Sequence, residues 1–127
     1  MKVKIGFIAI FIFCLSFSGL AKPVAVFADN GADYTQTENG YIVNFDLKAT
    51  TEEYLTVTNK AADMPDVLTL SAVEDGVNNY DCTLTITHQN HPEYVHKMML
   101  TLGITTLVYK DVTHPILYVI DILNSFL

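Results

Sequence analysis

The chain of 127 residues carries fourteen acidic side chains against seven lysines and no arginine, a formal charge of −7, and half of its residues are apolar. That length supports one core and not two. The acidity excludes nucleic-acid binding, which needs clustered Lys and Arg to displace counterions from phosphate, and it excludes docking on an anionic membrane through a basic patch.

The first residues, MKVKIGFIAIFIFCLSFSGLAK, set Lys2 and Lys4 before an uncharged apolar run from Ile5 to Phe17 and a short tract of small residues. This is the layout of a secretory signal peptide, expected over 1–21, with Gly19 and Ala21 as the small residues ahead of the cut. Val26 and Ala28 offer an alternative cut after residue 28. The run from Ile5 to Phe17 would rise only about 20 Å as a helix, less than a bilayer core, so no stable membrane span is expected once the leader is removed. The expected location is secreted or periplasmic. Cleavage after Ala21 would leave five lysines against fourteen acidic residues, a formal charge of −9, with Cys82 as the sole cysteine. No internal disulfide could then support the fold, and the core must do so.

Residues 22–40 are polar from Asp29 onward, rich in Asp, Asn, Gly and Thr without a sustained apolar period, and they read as a flexible lead-in to a single domain over 41–127. In YIVNFDLK, residues 41–48, Tyr41, Val43, Phe45 and Leu47 share one parity, which predicts a half-buried strand. Leu55 and Val57 alternate with Tyr54, Thr56 and Thr58, which predicts a second strand. Leu68, Leu70 and Ala72 predict a third, and Asp75-Gly76 with Asn78-Asn79 a turn. A fourth strand follows, with Cys82, Leu84 and Ile86 inward and Thr83, Thr85 and Thr87 outward.

Beyond Asn90 the period changes. Pro92 suits a first helical turn and Glu93 complements the helix dipole there, while Tyr94, Val95, Met98, Met99 and Leu102 recur at spacings of three and four. Gly103 ends this helix. Residues 104–109 are β-branched and read as a fifth strand, with a helix through Tyr109 as the alternative. The tail from His114 carries Ile116, Ile120, Leu123 and Leu127 as the stripe of a last helix, too short to span a bilayer. These elements predict an α+β fold: an antiparallel four- or five-stranded meander with two helices packed on one face.

The densest chemistry lies in THQNHPEYVHKMM, residues 87–99, which hold three of the four histidines. Neutral imidazole and carboxylate bind zinc or copper, and His88, His91 and Glu93 could converge across the strand-to-helix turn. His91 and His96 are five apart, about 140° around a helix, so they cannot chelate as an i, i+4 pair does. The ordinary reading of the stretch is a structural junction, and no cofactor is implied. Cys82 with a histidine base could make a small hydrolase site, although its parity places it among core residues. The remaining candidate is a binding face of Tyr54, Thr56, Thr58, Thr83, Thr85 and Thr87, uncharged and rich in hydrogen-bonding groups, suited to a protein or glycan partner. The expectation is therefore a small exported acidic protein that works as a non-enzymatic binding module.

Overall fold

The computed structural model describes residues 23–87 and 91–126, so the expected signal peptide, His88 and Leu127 lie outside the described residues. In chain order the elements are β1 (Val24–Phe27), a 3-10 turn (Gly31–Asp33), β2 (Tyr34–Gln36), β3 (Tyr41–Lys48), α1 (Thr51–Ala62), β4 (Leu68–Glu74) and β5 (Asn79–Ile86). There follow α2 (Pro92–Thr101), β6 (Thr106–Tyr109), β7 (Val112–Pro115), a second 3-10 turn (Ile116–Tyr118) and α3 (Val119–Phe126).

The spine of the sheet is the antiparallel pair β3 and β5, in register from Tyr41 opposite Ile86 to Lys48 opposite Asn79. Their alternation behaves as the sequence predicts. Val43, Leu47 and Leu84 are fully buried on one face, whereas Ile42, Asn44, Asp46 and Lys48 are half-buried on the other. The β4–β5 turn also forms as expected. Asp75 N–H donates to the Asn79 carbonyl at 2.8 Å, and the Asn79 side-chain amide donates back to the Asp75 carbonyl at 2.8 Å. Gly76 and Asn78 adopt the left-handed conformations the tight connection needs, with φ of 99° and 54°.

The sheet is not a four- or five-stranded antiparallel meander. Among the described residues it has seven strands in a mixed arrangement, ordered β4-β5-β3-β1-β6-β7, with β2 also paired to β3. Residues 22–40, read from sequence as a lead-in, supply two of these strands. β1 runs antiparallel to the end of β3 and parallel to β6, which places it inside the sheet. β2 joins the same side of β3 further on, with Tyr34 opposite Val43. The signal for β1 is hidden because all four of its residues are apolar, which leaves no alternation to read. Val24, Ala25 and Phe27 are all buried, and their short apolar run follows closely on the apolar sequence of residues 5–17.

Residues 54–58 are helical, not a strand, and there are three α-helices among the described residues rather than two. Thr50 caps α1: its Oγ1 accepts from Glu53 N–H at 3.1 Å, and Glu53 Oε1 accepts from Thr50 N–H at 2.9 Å. This reciprocal capping box satisfies two otherwise orphaned groups and sets the helix start, and it overrides the weak alternation of Leu55 and Val57. The residues α1 turns inward are Val57 and Ala61, with Tyr54 stacked on Tyr80 of β5 at 3.8 Å.

The second helix follows the sequence closely. α2 begins at Pro92 with His91 as N-cap, buries Val95, Met98 and Met99, and stops where Gly103 turns to a φ of 93°. β6 takes the strand assignment for this region. The tail departs from expectation at its start, because His114 and Pro115 complete β7 before α3 begins and buries Val119, Ile122 and Leu123.

All three helices lie on the face that carries Val43, Leu47 and Leu84. Tyr80, which α1 covers, belongs to that face, as does Tyr34, whose ring lies 5.3 Å from Phe126 of α3, and α2 packs against α3. Among the described residues no helix crosses the opposite face, and none is long and apolar enough to cross a membrane.

Candidate functional site

The uncovered face is a set of cross-strand rows fixed by the ladder. One row runs Thr69, Thr85, Ile42 and Thr35 across β4, β5, β3 and β2; the next runs Ser71, Thr83 and Asn44. Thr83 Oγ1 donates to Asn44 Oδ1 at 2.6 Å, which fixes both side chains. A third row sets Val73, Asp81, Asp46 and Val26 side by side. Every aromatic ring among the described strand residues points to the helix side, so this face presents hydroxyls, amides and aliphatic groups, together with the Asp46 and Asp81 carboxylates and the Lys48 ammonium at one end.

Of the six residues proposed from sequence as a binding face, the structure brings together Thr83, Thr85 and Thr87. Thr87 sits at the end of β5, where its hydroxyl donates to the carbonyls of Asp66 and Val67 at 3.3 Å. The other three are on α1, across the sheet. Tyr54 is engaged with Tyr80, while the Thr56 and Thr58 hydroxyls donate to the Glu52 and Leu55 carbonyls of their own helix at 3.0 and 3.1 Å. Their places in the rows are taken by Thr69, Ser71 and Asn44. These were readable in principle, since the inward parity of Leu68, Leu70 and Ala72 sends Thr69 and Ser71 outward.

At the end of the rows, where β1 stops and β2 has yet to begin along β3, the sheet leaves a hollow of about 200 Å³. Asp33, Asn44, Asp46 and Asp81 supply its polar walls, with Val26 and Ala28 beside them. Asp46 and Asp81 stand directly opposite on neighbouring strands. Partial burial first, and then the Asp81 charge, hold the Asp46 carboxyl above its usual range, with Lys48 acting in the opposite sense. Beneath the hollow an aromatic cluster closes the gap from the helix side. Phe27 stacks on Phe45 at 5.7 Å and on Tyr34 at 6.0 Å, and the Tyr34 hydroxyl donates to the Ala28 carbonyl. Burial raises the Tyr34 phenol further above its ordinary value, so it remains a donor at any physiological pH.

The histidine-rich stretch contributes less. His91 and Glu93 are both exposed at the start of α2, and His88, the third proposed ligand, is outside the described residues. Among the described residues no three His, Cys, Asp or Glu side chains are placed to hold a metal ion. Glu93 instead adds, after burial, to the upward shift of the Tyr41 phenol. His114 is stacked face to face on Tyr118 at 3.8 Å.

Cys82 is fully buried on the helix side of β5, opposite Phe45 and Ala72, with its Sγ 3.7 Å from the Tyr80 carbonyl. Burial and the nearby Asp81 and Asp46 push its thiol up to about 12, so it has neither the access nor the thiolate character of a nucleophile. His114, on β7, is four strands away from it, about 19 Å across the sheet. No known family model matches the chain, and no curated protein or solved structure shows detectable similarity to it.

Proposed function

We propose that this is a non-enzymatic binding protein, exported through its N-terminal leader, which engages another protein through the uncovered face of its sheet. The observation that carries this reading is the asymmetry of the sheet: among the described residues three helices cover one face, and the other carries two aligned rows of mainly Thr, Ser and Asn side chains with the Asp46 and Asp81 pair at their end. A face of this kind offers hydrogen bonds at fixed spacing with little side-chain entropy to lose, because the β-branch of Thr restricts its χ1 and Asn44 is already held by Thr83. A protein surface fits it better than a glycan does, since the face presents no aromatic ring on which a sugar could stack.

Export is supported by the order of charge, apolar run and small residues at the N-terminus, and the fold adds a constraint on processing. A cut after Ala28 would remove β1 from the interior of the sheet, whereas a cut after Ala21 leaves it whole. The test of the binding reading is a footprint. Cross-linking in the living host, followed by mass spectrometry, is expected to place the partner against residues 69–71 and 83–85, and Thr69→Arg with Thr85→Arg is expected to abolish the cross-link without changing the melting temperature. A footprint confined to α1, α2 and α3, or a hydrolytic activity lost in Cys82→Ser, would overturn it.

A further inference from the structure

The two end strands of the sheet order, β4 and β7, are built differently, and the difference points to a second contact surface apart from the uncovered face. β7 is short and closes on Pro115, which has no N–H to offer a further strand. β4 pairs with β5 without interruption from Leu68 opposite Ile86 to Glu74 opposite Tyr80, contains no proline, lysine or bulge, and among the described residues has no strand on its other side. It carries none of the devices that ordinarily blunt an exposed edge over most of its length, with Glu74 its sole charge.

The ladder also determines which groups point outward. Thr87 N–H donates to the Val67 carbonyl at 3.0 Å and Asp75 N–H to the Asn79 carbonyl at 2.8 Å, so the odd-numbered residues of β4 are those bonded to β5. Antiparallel bonding alternates along a strand, which turns the N–H and C=O groups of Leu70, Ala72 and Glu74 away from the sheet. The Leu68 N–H is already bonded, to the Met64 carbonyl at 3.1 Å. The side chains agree with an edge built to be continued. Leu70 and Ala72 face the core yet remain only half-buried, and Val73 on the other side is 65% exposed.

Charge selects the occupant. From Ala61 to His96 the chain has no lysine or arginine, while Asp63, Asp66, Glu74, Asp75 and Asp81 lie before, at the end of, and beside β4. Both ends of the edge are therefore acidic and its middle is neutral. The geometry points to β4 as the acceptor of an extended, basic peptide segment from a partner protein, which adds as an eighth strand about 4.8 Å outside β4 with apolar residues over Leu70 and Ala72 and lysine or arginine at its ends. A second copy of this chain would instead bring two acidic edges together.

A synthetic peptide of alternating valine and threonine with a lysine pair at each end tests this, titrated into the isotopically labelled protein. Saturable binding is expected, with the amides of Leu70, Ala72 and Glu74 shifted and protected from hydrogen exchange. Replacing the lysines by glutamate, or methylating alternate peptide nitrogens so that the ladder cannot form, is expected to weaken binding by about tenfold or more. Ala72→Pro, which removes an outward N–H, is expected to do the same; if that variant fails to fold, the methylated peptide decides alone. No binding, equal binding of the glutamate peptide, a footprint away from β4, or concentration-dependent pairing of the protein through β4 without peptide would overturn the assignment.

Discussion

Gly40 shows how a single residue can decide whether two strands meet. A Cβ built there would fall 1.7 Å from the carbonyl oxygen of Ile86, so the close approach of the chain to β5 tolerates no side chain. Gly40→Ala is expected to cost about 1–3 kcal/mol, read as a lowered denaturation midpoint at unchanged slope. An unaffected midpoint would mean that the entry to β3 sits further from β5. Asp46 is a residue of the opposite kind, one that the fold tolerates at a cost. Like charges directly across a ladder destabilise by about 0.2–1 kcal/mol, so Asp81→Asn is expected to raise stability by that amount at neutral pH. Because the folded protein holds the Asp46 carboxyl above its ordinary value, it binds more protons than the unfolded chain in the window just above the usual aspartate range. Stability from this group is thus fully present below that range and is lost as pH rises through the raised value. Asp46→Asn is expected to flatten this limb of the stability–pH profile; a steeper limb would show that the sign is wrong.

Among the elements, α1 and β1 are the two whose assignment rests on contacts that alternation does not report. For α1 the start signal is local, the reciprocal pair of Thr50 and Glu53, and Thr50→Ala is expected to cost about 1 kcal/mol, measured by chemical denaturation against Thr51→Ala as a control. β1 has no such local marker. Its four residues matter because they sit between β3 and β6 and supply buried Val24, Ala25 and Phe27. A protein beginning at Lys22 is expected to fold with a dispersed amide spectrum, and one beginning at Asp29 to aggregate or remain unfolded. If both folded equally well, β1 would not be the interior strand that the pairing makes it.

For the molecule as a whole, the global properties are its acidic balance and the apolar run Ile5 to Phe17 that we propose as a leader. Phe11→Asp with Ile12→Asp is expected to block export, since each charge opposes insertion of the leader by a few kcal/mol, and the precursor would then accumulate in cell fractions. Normal secretion of the double variant would remove the leader from the account. Where export proceeds, the mature N-terminus found by sequencing is expected before Val24.

What the amino-acid order determined by itself was whatever one element can settle alone. The parity of Tyr41, Val43, Phe45 and Leu47 specified the buried face of β3, and Cys82, Leu84 and Ile86 that of β5, because strand side chains alternate whatever lies beside them. Pro92 with Val95, Met98, Met99 and Leu102 marked α2 for the same reason at the helical period. Tertiary structure decided which strands became neighbours and which outward residues shared a face. β1 pairs in parallel with β6, about eighty residues away in the chain, and nothing within Val24–Phe27 encodes that choice. Thr83 and Thr85 gained Thr69, Ser71 and Asn44 as companions, and lost Thr56 and Thr58, once α1 folded onto the other side of the sheet. A surface is a set of distant residues made adjacent by the burial of others, so its members become known only when the core that orders them is in place.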